Sequence, residues 1–140
     1  MPSRMSQESK PFFREHLQKE IFGVFWLAFG IFTLFNKPDT FNRYIVGAPD
    51  LGWDNELCFQ YEQQYAATQS DLPVKLFFAV GTLDEAIVID RNVSTLFRLH
   101  AILKSRNYES LDMNFKVFEG ENHGSAIGPT ASWGLRAVFG

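Results

Sequence analysis

The run VKLFFAV, over Val74 to Val80, constrains the fold of this 140-residue chain more than any other stretch. Asp71-Leu72-Pro73 breaks the chain ahead of it and Gly81 closes it, so it reads as a strand. Its almost continuous apolar character suits a parallel strand buried on both faces. Parallel strands require crossover connections, usually helical, and helical patterns stand on either side. Residues 55–68 are mostly polar helix formers with Leu57, Phe59, Tyr61 and Tyr65 mixed in, which predicts a solvent-facing helix. After Gly81-Thr82-Leu83-Asp84-Glu85, a long helix is expected to about Arg106, with Val93, Leu96, Phe97, His100 and Leu103 on one stripe. Phe41 to Val46 and Met113 to Glu119 read as two further strands, and the segment from Ser125 to Phe139 closes as a helix. Alternating strands and helices predict right-handed β-α-β units: an α/β fold of about three parallel strands with flanking helices.

Toward the N-terminus the pattern changes. Residues 1–10 read as a polar tail without an apolar signal core. From Pro11, the segment PFFREHLQKEI carries Phe12, Phe13, Leu17 and Ile21 at helical spacing and predicts a short amphipathic helix. Residues 21–35 are almost unbroken in apolar character but fall short of the roughly 20 residues that cross a bilayer. A buried helix or a strand–helix junction is the expected reading, with membrane association as an alternative. The net charge of −3 gives no basic footprint for nucleic acid. A single cysteine, Cys58, excludes an internal disulfide framework and suits a reducing, cytoplasmic setting. The expected organisation is a tail over 1–10 and one domain over 11–140.

Candidate chemistry gathers after the strands. FKVFEGENHGS, over Phe115 to Ser125, ends a strand in a glycine-punctuated loop that presents His123. Open α/β sheets hold their ligands beyond the carboxyl ends of the strands. Asp84, with Glu85 beside it, follows the preceding strand, so a crossover would bring acid and histidine to one sheet edge. An acid that orients an imidazole is one half of a Ser-His-Asp machine. On the residues alone, His123 is equally a surface-loop histidine and Asp84 equally a helix N-cap. His100 reads as packed on its helix and His16 as exposed. Glu119, Glu121 and His123 lack a further ligand at metal-binding spacing, so no metal or cofactor is expected.

Several long segments carry a resemblance: LFNKPDTFNRYIVGAPDLGWDN, then LPVKLFFAVGTLDE, then FEGENHGS and SWGLRAVF. Together they resemble the esterase branch of the α/β-hydrolases, with its esterase D-like and enterochelin-type siderophore esterases, from about Pro11 to Gly140. The resemblance implies the C-terminal part of an α/β-hydrolase fold. It also implies that His123 is the catalytic histidine, that Asp84 stands at the acid position, and that the loop with Trp53 flanks a substrate site. It implies a G-x-S-x-G nucleophile elbow as well, and here the chain departs. Counting back from Leu34-Phe35 without gaps puts the serine at Val24 and its glycines at Phe22 and Trp26. No serine, cysteine or threonine occurs between Glu20 and Phe32, and valine cannot form an acyl-enzyme. Ser125 and Cys58 are poor substitutes, the first for its place two residues from His123 and the second for its place in a helix.

The expected function is that of a carboxylic-ester hydrolase family member without its nucleophile, acting if at all on a small-molecule ester. The alternative is a non-catalytic binding or assembly module. A sheet of few strands also predicts self-association through an exposed edge.

Overall fold

The computed structural model describes residues 22–26, 28–86 and 91–140. It is built on a four-stranded parallel sheet whose spatial order follows the chain: β1 (Phe22–Trp26), β2 (Arg43–Gly47), β3 (Lys75–Gly81) and β4 (Asp112–Phe118). The tail expected over 1–10 and the helix over 11–21 lie outside the described residues. The α/β class holds, with one strand more than the sequence led us to expect. The additional strand comes from the apolar run 21–35, which divides into β1 and the helix α1 (Phe29–Asn36). Among the described residues no helix is long and apolar enough to cross a membrane.

Helix α2 (Trp53–Thr68) links β2 to β3, and α3 (Asn92–Ser105) links β3 to β4. The expected long helix to Arg106 is shorter than the sequence suggested, because Thr82–Ala86 form a 3₁₀ turn before it. Helix α4 (Ile127–Phe139) closes the chain. Right-handed crossovers in a sheet laid down in sequential order must all pass over the same face. Accordingly α1, α2 and α3 share one core with Tyr44, Val46, Leu76, Phe78 and Val80. Strand residues alternate between faces, so Ile45, Phe77 and Ala79 point to the opposite side, where Val138 of α4 packs on them. Gly134 allows that docking: a Cβ there would stand 2.5 Å from Ile45 Cγ2.

The inward stripe of α3 is Asn92, Leu96, Leu99 and Leu103. Phe97, expected on that stripe, is 52% exposed and sets its ring edge-on to Phe115 at 4.8 Å. His100 stacks on the same Phe115 ring at 5.3 Å, a packed position as expected. Burial, followed by the nearby Lys104 charge, holds His100 below the ordinary histidine range. Below the helices, Glu62 of α2 is 1% exposed and accepts a two-pronged pair of bonds from Arg106, at 2.7 and 2.9 Å.

Candidate active site

β3 and β4 end side by side, and their pairing runs out at Gly81 opposite Phe118. The loops beyond stay joined. Leu83 donates its N–H to the Glu121 carbonyl at 3.1 Å, and Gly120 donates its N–H to Thr82 Oγ1 at 2.8 Å. Gly81 lets the loops approach so closely, since a Cβ on it would stand 2.2 Å from the Glu121 oxygen. Gly120 makes the bend at φ +76°, a conformation glycine adopts without strain.

This stitching brings Asp84 and His123 together. His123 Nδ1 lies 3.5 Å from Asp84 Oδ2, with the imidazole 40% and the carboxyl 2% exposed. That is an ion-pair separation, longer than a tight hydrogen bond. Asp84 Oδ2 is buried and accepts no hydrogen bond, and burying a carboxylate oxygen is costly unless a donor or cation faces it. The imidazole is such a group.

The two adjacent carboxylates have separate tasks. Glu85 accepts the Ser94 N–H at 2.9 Å and also the Ser94 hydroxyl, so it caps the first turn of α3 from a distance. Those bonds from Ser94 hold its carboxyl below the ordinary range. The N-cap reading weighed for Asp84 therefore belongs to its neighbour. Ser125 is also committed: its Oγ accepts the Asn122 N–H at 2.9 Å, while Asn122 Oδ1 accepts the N–H groups of Gly124 and Ser125. This local turn fixes the loop that carries His123 and keeps the serine oxygen on backbone duty.

Beyond β1 and β2, on the same edge, lies a cleft of about 430 Å³. Ala28, Phe29 and Phe32 form one wall, and Asp50, Trp53, Cys58 and Tyr61 the other. Trp53 opens α2 and is largely exposed. The next three residues, Asp54, Asn55 and Glu56, all carry positive φ, between 49° and 61°. Such conformations are strained for residues other than glycine and concentrate at functional sites. Glu56 pairs with Arg98, whose guanidinium sits 3.8 Å over the Phe59 ring. Burial, reinforced by the Asp50 charge, pushes the Cys58 thiol up to about 11. The thiol is protonated near neutrality and a poor nucleophile.

The position counted as the nucleophile requires correction. Val24 lies mid-strand in β1, opposite Ile45. A nucleophile elbow is a strand-to-helix turn, and that turn falls between Trp26 and Phe29. The residues between them, Leu27 and Ala28, carry no hydroxyl or thiol either. Glu119, Glu121 and His123 do not converge, and among the described residues no group of three His, Cys, Asp or Glu side chains could hold a metal ion. The contacts of Thr82 and Gly81 were not anticipated. The G-T-x-D segment directly after a buried strand was the available signal.

The four-stranded parallel sheet with its flanking helices is an α/β fold that this chain shares with solved hydrolase structures. The chain is similar to the ferri-bacillibactin esterase BesA of Bacillus subtilis (strain 168), 25% identical over 107 residues, covering 74% of this chain and 36% of that protein. Among solved structures, it shares its fold with the BES protein of Bacillus cereus at a TM-score of 0.72 and 23% identity, over 96% of this chain and 52% of that one. The siderophore hydrolase EstA of Aspergillus nidulans gives a TM-score of 0.71 at 21% identity, over 78% of this chain and 43% of that one. An IroE-like serine hydrolase of Shewanella oneidensis gives 0.68 at 14% identity, over 94% and 45%. The chain thus spans about a third to a half of the length of these proteins. No family model matches it.

Proposed function

We propose that this chain carries the acid–base part of a carboxylic-ester hydrolase of the siderophore-esterase kind, acting on a small-molecule ester. In this reading His123 takes the proton of the attacking group and returns it to the leaving alcohol, while Asp84 holds the ring tautomer and balances the imidazolium. The observation that carries it is the juxtaposition of His123 Nδ1 and the buried Asp84 carboxyl. Trp53, on the cleft wall, is the proposed substrate contact. No step passes through a metal or cofactor, and the partners include no nucleic acid and no membrane.

The proposal includes inactivity of the chain on its own. Val24 stands in mid-strand, and Leu27 and Ala28, which follow β1 in the sequence, carry no hydroxyl or thiol, so none of them can form an acyl-enzyme. Hydrolysis of a short-chain p-nitrophenyl ester by the purified chain tests this, beside His123→Ala and Asp84→Asn. Turnover at background in all three is the expected result. Turnover that His123→Ala lowers by the roughly 10²–10⁴-fold due to general acid–base catalysis would overturn the inactivity and reveal a nucleophile or activated water. A second reading, a non-catalytic binding module, is favoured by the apolar cleft with its exposed Trp53. Quenching of tryptophan fluorescence by an ester that is not turned over, lost in Trp53→Phe, supports it.

We propose two further properties of the chain. A cytoplasmic setting rests on the lone, buried Cys58. Self-association rests on β1, an outer strand of the described sheet, where Phe22 is 44% and Val24 56% exposed. The proposed partner is a second copy of this chain, because the edge of β1 is apolar throughout and pairs with itself without like-charge repulsion.

A further inference from the structure

We infer that Thr82 is a positioning residue for the Asp84–His123 pair, an inference that rests on reading that pair as the acid–base machinery. β3 and β4 pair side by side only as far as Gly81 and Phe118. Asp84 lies three residues beyond the first and His123 five beyond the second, so the sheet does not fix their separation. Two hydrogen bonds do. One is backbone to backbone, from Leu83 N–H to the Glu121 carbonyl, and almost any residue could make it. The other runs from the Gly120 N–H to Thr82 Oγ1 and depends on a side-chain oxygen at position 82.

The location of this second bond decides what it does. It closes the loops at Gly120, where positive φ turns the chain back from β4 toward His123. It is also exposed, so water can replace the lost acceptor and the fold does not depend on it. The Asp84 carboxyl is held in the buried layer at 2% exposure and His123 stands outside it at 40%. Any slack between the loops therefore moves the imidazole and leaves the acid in place. Thr82 acts on orientation: it holds Nδ1, in preference to Nε2, toward the carboxylate.

The test reads the ring itself. Long-range proton–nitrogen correlation spectra of the ¹⁵N-labelled chain, at a pH where the imidazole is neutral, report which nitrogen carries the proton. The His123 signals are assigned by their loss in His123→Ala. The unsubstituted chain is expected to hold the proton on Nδ1, and Thr82→Val to lower the ratio of the Nδ1–H to the Nε2–H form roughly fivefold, the factor one neutral hydrogen bond represents. Thr82→Ser, which keeps the oxygen, is expected to restore the ratio. Thr82→Ala takes the place of the valine variant should that chain not fold. An unchanged ratio in the valine or alanine variant, or a serine variant that behaves like them, overturns the inference. Asp84→Asn separates the two readings: if it leaves the ring pattern untouched, the acid–base pair itself fails. Absence of ester hydrolysis has no bearing on the ring readout.

Discussion

Cys58 lines a cleft whose other walls are mostly aromatic, and burial lifts its thiol from an ordinary value of 9.0 to about 11. A thiol reacts as thiolate, so alkylation by iodoacetamide is expected to be slow at pH 8 and to rise close to tenfold per pH unit until it levels near 11. The same shift is a stability term. The folded state keeps a proton that the unfolded thiol loses, so this contribution is complete below about 9 and is lost as pH rises through about 11. Urea midpoints measured across that window are expected to fall less steeply in Cys58→Ala. The Glu62–Arg106 pair yields the larger effect: Arg106→Ala leaves a carboxylate at 1% exposure without its partner, at a cost of about 3–5 kcal/mol in unfolding free energy. Replacing both together with Leu and Met is expected to cost far less. At this scale the sequence was readable where a residue's setting is local. His123 between loop glycines stood out, whereas Asp84 and Glu85 are adjacent carboxylates that only the packing of α3 against the turn tells apart. The clamp made by Thr82 joins residues 38 positions apart, and no local pattern marks it.

Among the elements, β2, β3 and β4 were legible because turn residues bound them and their apolar content is high. β1 was not. It shares one apolar run with α1, and hydrophobic periodicity cannot separate a buried strand from a buried helix over so few residues. The serine position, counted back from Leu34-Phe35 without gaps, falls at Val24, inside the strand. Element contacts also carry a prediction. Helix α4 reaches Ile45 only because Gly134 has no side chain, so Gly134→Ala must lift the helix or displace Ile45, costing about 1–3 kcal/mol by overpacking. Thermal unfolding of the variant measures it. At the start of α3, Glu85→Ala removes the acceptor for the Ser94 N–H, and a loss of about 1 kcal/mol is expected, as for other helix caps. That loss should leave the His123 tautomer unchanged, since Asp84 keeps its place.

For the whole molecule, the α/β class follows from the alternation of elements, and the shared face of α1, α2 and α3 from handedness. The return of α4 to the opposite face did not follow, since nothing after β4 compels a side. The exposed Phe22 and Val24 bear on solution behaviour. Val24→Lys is expected to shift the sedimentation profile toward monomer, because a lysine on an edge strand opposes pairing. A wild-type chain that is already monodisperse and monomeric would count against the proposed association. The order of the strands has one more consequence. Each strand's neighbour in the sheet is also its neighbour along the chain, so the sheet can grow by accretion, one β-α unit at a time, as the polypeptide leaves the ribosome. Asp84 follows the third strand, and the loop that carries His123 follows the fourth. The acid and the histidine meet only when β4 docks beside β3, so their pairing marks the joining of those two strands.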